Sequence, residues 1–135
     1  NNKIKASLID MFVFSHPLQI QSQLNLVKSK ISKIVYPFSF LNEKLPIAHT
    51  SMRKNLYNFG LNVKNSNLIT VNDNNCYLPE PLGIGYAVSV CIAKGCNNLY
   101  FAGVDKLTNQ KKFDNSSILL KRMKKKFKYM NFKSL

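Results

Sequence analysis

Arginine and cysteine are scarce in this chain, and each scarcity argues against a class of function. Of 20 basic residues, 18 are lysine and only Arg53 and Arg122 are arginine; tryptophan is absent. With six acidic residues the formal net charge is +14 and the isoelectric point is near 9.9. So cationic a chain suggests nucleic acid, but base-reading interfaces rely on the bidentate fork of arginine, so a nucleic-acid partner is not expected. A lysine-, asparagine- and isoleucine-rich composition also fits drift in the source genome. The three cysteines, Cys76, Cys91 and Cys96, are odd in number and form no Cys-x-x-Cys pair, which argues against a disulfide framework and a zinc site. Free cysteine packs as a small apolar residue, and reduced thiols imply a cytoplasmic setting. No apolar run is long enough to cross a bilayer, and no signal core follows the N-terminal residues.

What remains is the composition of a globular domain: 135 residues, 45% hydrophobic and 19% charged. A single α/β domain over 1–135 is expected, and a start at Asn-Asn-Lys suggests an excised C-terminal part of a longer polypeptide. Residues 9–15, ended by Ser15-His16-Pro17, suit a buried strand. Leu18, Ile20, Leu24, Val27 and Ile31 recur at helical spacing, and Ile34-Val35-Tyr36 is the next strand, completing a βαβ unit. Residues 38–46 read as loop. Met52, Leu56 and Phe59 give residues 51–59 a helical apolar side, capped by Thr50 or Ser51 and stopped by Gly60. Residues 68–71 are a strand. Asn72 to Asn75 form a turn, expected at the carboxyl edge of the sheet and bearing Asp73. Residues 82–94 are a helix entered through Gly83 and Gly85, and residues 99–102 are the strand most like a sheet centre. Asp114 or Asn115 should cap a last helix with Leu119, Met123, Phe127 and Met130 on one stripe and lysines around the rest. Residues 131–135 read as an edge strand.

The fold class is therefore three-layer, Rossmann-like α/β with a mostly parallel sheet. In such sheets ligands lie at the carboxyl ends of the strands, and a helix N-terminus offers bare amides to an anion. Gly83 and Gly85 do not make a dinucleotide fingerprint, because the third glycine position is Val88. No Walker motif is present, and no cofactor is expected. Gly83, Gly85 and Asp105 suit a phosphorylated or nucleotide-bearing sugar; equally, the glycines serve tight packing and Asp105 ends its strand. His16, at a strand's carboxyl end, would meet Asp73 or Asp105 across the sheet edge as a proton carrier, or is an ordinary turn residue. The lysine-rich last helix is a solvated face or a contact surface for an acidic partner or anionic headgroups.

Gly85-Tyr86-Ala87-Val88 followed by Ala93-Lys94-Gly95-Cys96-Asn97-Asn98-Leu99-Tyr100-Phe101-Ala102-Gly103-Val104-Asp105 resembles the C-terminal Rossmann-like domain of aldolases of the 4-hydroxy-2-oxovalerate, HMG-CoA-lyase-like type from surface-polysaccharide clusters. The segment is also similar to bacterial sialyltransferases using CMP-sialic acid and to motility-associated glycosylation proteins. The family usually has glycine after the aspartate, where this chain has Lys106. The resemblance implies an accessory domain of an aldolase-like protein in surface-polysaccharide or sugar biosynthesis. Any lyase activity would then reside in an N-terminal barrel of the same chain, and an acidic sugar or nucleotide-sugar would bind at Gly83, Gly85, Asp105, His16 and Asp73. The alternatives are a sialyltransferase-like glycosyltransferase, with His16 as a base, and a non-catalytic interaction module using the basic helix.

Overall fold

A computed structural model describes residues 10–16, 33–38, 55–102 and 110–134. Their architecture is α/β with mostly parallel strand pairs. Strands β1 (Phe12–Val13), β2 (Ile34–Tyr36) and β3 (Leu56–Asn58) form a parallel ladder, with Phe12 opposite Ile34 and Ile34 opposite Leu56. Strand β4 (Gly60–Val63) pairs in parallel with β6 (Asn75–Leu78), which also takes β5 (Thr70–Val71) antiparallel on its other edge. The expected crossover helix lies outside the described residues, as does the 38–46 loop apart from Phe38.

Phe59 alone separates β3 from β4, and it is where the chain passes from one ladder to the other. Its N–H donates to the Tyr36 carbonyl at 3.3 Å, and the next N–H, of Gly60, donates to the Asn74 carbonyl at 2.8 Å. Successive amides of an extended chain point to opposite edges, so residues 56–63 serve β2 on one side and β6 on the other. The helix expected at 51–59 is thus corrected to strand over its described part, and Gly60 opens β4 rather than stopping a helix. Phe59 and Leu61 are both buried, a period of two that prevails over the helical spacing of Leu56 and Phe59 because cross-strand pairing rewards it.

Helix α1 (Gly83–Ala93) matches expectation within a residue at each end. It has no polar face: Tyr86, Val88, Ser89 and Val90 are buried, and the helix touches β1, β5, β6 and helix α2 (Gln110–Lys126). A helix apolar all round belongs inside a fold. Its one buried hydroxyl besides Tyr86, that of Ser89, donates to the Gly85 carbonyl at 2.8 Å.

Strand β7 (Asn98–Phe101) pairs in parallel with β8 (Asn131–Ser134), which confirms the expected C-terminal strand. Among the described residues β7 pairs with β8 only, and its exposure alternates: Tyr100 is outside, while Leu99 and Phe101 turn to the core. Burial is thus confined to one face, where a strand buried throughout is expected. Asp114 and Asn115 fall within α2 rather than at its cap, because the helix starts at Gln110. Leu119 and Met123 dock α2, Phe127 packs against the same core just beyond it, and Met130 is buried in the turn that follows.

The core closes around one polar bond. The Tyr86 hydroxyl, fully buried, donates to the Phe59 carbonyl at 2.6 Å, and the two rings meet edge to face at 5.7 Å. Burial raises the Tyr86 phenol above its ordinary pKa, so it stays a donor. Deleting that hydroxyl leaves a buried carbonyl without its donor, which costs about 1–3 kcal/mol. Tyr86→Phe should lower the unfolding free energy by about that amount in urea titration, with an unchanged slope; a change within error would show that the bond holds nothing.

Candidate functional site

The carboxyl ends of β1 and β6 lead to the same place. After β1, Phe14 adds one more rung by donating its N–H to the Val35 carbonyl at 2.9 Å, and Ser15 and exposed His16 follow. After β6 the chain runs through Pro79-Glu80-Pro81 into α1. A methyl group placed on Gly83 would stand 3.1 Å from the Ser15 hydroxyl oxygen, so the first residue of α1 and the residues leaving β1 are neighbours.

The start of α1 is polar and open. Its N-cap, Leu82, supplies no side-chain hydrogen bond, and the first turn carries no carboxylate. The Leu82 N–H is used by the Glu80 carbonyl at 2.9 Å, and the first bond within the helix is from the Tyr86 N–H to the Leu82 carbonyl at 3.0 Å. The amides of residues 83–85 therefore have no acceptor within the helix, and the dipole at this end favours an anion. Glu80, a poor neighbour for an anion, is engaged by α2: its carboxylate accepts from the Asn115 side-chain amide at 2.9 Å.

The two glycines divide their tasks. Gly83 is exposed, and among the described residues only Ser15 limits the space beside it. Gly85 is buried, and a methyl group there would come within 2.4 Å of Leu119 Cδ2 and 3.3 Å of Leu78 Cδ1. Gly85 thus serves the close approach of α1 to α2, the packing use of the glycine pair.

Asp73 sits elsewhere. Because β5 and β6 form an antiparallel hairpin, the turn bearing Asp73 precedes β6 and lies at its amino end. The expectation that Asp73 marks the carboxyl edge is corrected accordingly: the turn that bears it stands at the opposite end of β6 from the Pro79-Glu80-Pro81 segment leading into α1. Asp105 lies outside the described residues, and so does the pairing proposed for it with His16.

Three residues at this edge were not read as site residues from the sequence. Ser15 is one; Asn115 and Arg122 are the others, lining a small cleft of about 40 Å³ with Pro79, Glu80, Leu82 and Ile118. The Arg122 guanidinium donates to the Asn67 side-chain carbonyl at 2.8 Å, and the Lys126 ammonium donates to the Ile69 carbonyl, so both cations tie α2 to the segment entering β5. Lys121, Lys124, Lys125 and Lys128 are exposed along the rest of α2 and the turn after it. Among the described residues no group of three or more His, Cys, Asp or Glu could hold a metal ion, and no helix is long and apolar enough to cross a membrane.

Comparison with protein-family models, with curated proteins and with solved structures found no match to this chain.

The packing role of Gly85 is directly testable. Gly85→Ala should destabilise by about 1–3 kcal/mol through overpacking, and Leu119→Val, which shortens the opposing side chain, should recover part of that loss in the double variant. Strictly additive losses in the double-mutant cycle would separate Gly85 from Leu119.

Proposed function

We propose that this chain is an accessory domain, three-layer and Rossmann-like, of an aldolase-like protein in surface-polysaccharide or sugar biosynthesis. In this reading it is cytoplasmic and binds an acidic sugar or nucleotide-sugar where β1 ends and α1 begins. The observation that supports the ligand is the uncapped, carboxylate-free first turn of α1, opened by exposed Gly83 beside the Ser15 hydroxyl. The aldolase association rests on the resemblance of residues 85–105.

In this reading a phosphate or sugar carboxylate takes the amides at the start of α1, a preference of about 0.3–1 kcal/mol at an exposed site before any other contact. Ser15 and His16 donate from one side. Glu80 and Asn115, in the cleft on the other side, meet sugar hydroxyls, and Asp105 is the further hydroxyl acceptor that the resemblance assigns. The net charge of +14 raises the encounter rate with an acidic ligand and makes it salt-dependent. The chain binds, and the lyase chemistry belongs to the barrel preceding it.

Gly83→Asp separates binding from folding. A carboxylate at this position favours the helix dipole, so stability should hold or rise, while it occupies or repels the anion site. Calorimetric titration of the full-length protein with CMP, a UDP-sugar and a sugar phosphate should show binding of at least one, lost in Gly83→Asp with its thermal midpoint kept. No binding of any of the three to the parent protein, or equal binding by the variant, overturns the reading.

A further inference from the structure

Helix α1 ends in a motif that sets two cysteines against each other. Gly95 has φ +75°, the left-handed conformation that suits glycine. Its N–H donates to the Ile92 carbonyl at 2.9 Å, and the N–H of Cys96 reaches back to the Cys91 carbonyl at 3.0 Å. With Lys94 as C-cap, these are the paired bonds of a Schellman motif, whose geometry brings the side chains at the Cys91 and Cys96 positions together. In most proteins that contact is apolar; here both partners are thiols. Burial, with the neighbouring Cys96 thiol, pushes the Cys91 thiol up to about 11.

Both residues are half-buried rather than sealed. The third cysteine differs in every respect. Cys76 is fully buried on β6, opposite Leu61 and Val71, with the Ser89 hydroxyl beside its thiol.

We propose that Cys91 and Cys96 form a modification site, a dithiol that closes to an intramolecular disulfide when the protein meets a hydroperoxide. Cys96 is the attacking residue, because Cys91 is held protonated near neutral pH and the thiolate is the nucleophile. The Cys96 sulfur attacks one peroxide oxygen, the O–O bond breaks, and hydroxide leaves and takes a proton to become water. The Cys91 sulfur then attacks the sulfenic sulfur of Cys96. The S–O bond breaks, and the second hydroxide leaves as water with the Cys91 proton. Two thiols lose two electrons and one peroxide becomes two waters. A dithiol reductant reverses the bond by exchange. Closure ties the last turn of α1 to the link into β7, clamping the helix at the end opposite Gly83. This inference does not depend on the ligand proposed there.

The test treats the full-length protein with hydrogen peroxide, alkylates it under denaturing conditions and maps the cysteines by mass spectrometry. The expected product has lost about 2 Da, joins the peptides carrying Cys91 and Cys96, leaves Cys76 alkylated, and reverts with dithiothreitol. Cys91→Ser should leave a sulfenic acid on Cys96 that a 1,3-dione traps, whereas Cys96→Ser should give far less trapping. Retention of all three alkylatable thiols, a bridge involving Cys76, or equal trapping in both variants would overturn the proposal.

Discussion

The hydrogen bond from Tyr86 to the Phe59 carbonyl is the constraint on which the rest of this structure depends. Phe59 stands where one strand is handed from the β2 ladder to the β6 ladder, and Tyr86 stands in the first turn of α1. Fixing the one against the other fixes both where the helix begins and how it lies over the sheet. Gly83 then falls beside Ser15, and Gly85 falls under Leu119. A less polar joint would hold the same surfaces together but would not specify their register, since apolar packing alone is non-directional.

That joint also explains how an uncapped helix end can exist next to a tightly packed core. From Gly85 onward most of α1 is closed off by the sheet and α2, and the intrahelical ladder satisfies its amides. One turn earlier the amides start at exposed Gly83, beside the Ser15 hydroxyl, in a turn that carries no carboxylate of its own. Glu80, the carboxylate nearest in sequence, is held by Asn115 toward α2. The cations of α2 are similarly divided: Arg122 and Lys126 are committed to backbone and side-chain carbonyl groups near β5, while the other lysines leave the positive potential on the surface.

Much of this was legible in the sequence where one local pattern stood alone. Ile34-Val35-Tyr36 before a proline, the glycine-entered helix at 83–93 and the last strand at 131–134 each carried their own boundaries. Residues 56–63 did not, because Leu56 and Phe59 fit a helix as well as Phe59 and Leu61 fit a strand. The choice was made by β2 and β6, which no local window contains. The β5–β6 hairpin misled for a related reason. The asparagine-rich turn was visible, but the direction of the strand after it was not, and direction decides which edge of the sheet receives Asp73. At the site, Gly83 was readable from its place before a helix, whereas Ser15 became relevant only through a neighbour far along the chain. The distinct uses of Gly83 and Gly85 were invisible until Leu119 was placed.

The central claim is that the start of α1, beside the end of β1, receives an acidic sugar ligand. Amide NMR spectra of the isotope-labelled protein, titrated with a CMP-linked acidic sugar, test it most directly. The account predicts saturable shifts of Gly83, Ile84, Ser15 and His16, with Gly95 at the other end of the helix unmoved. Shifts confined to the lysines of α2, or none at saturating ligand, would contradict it.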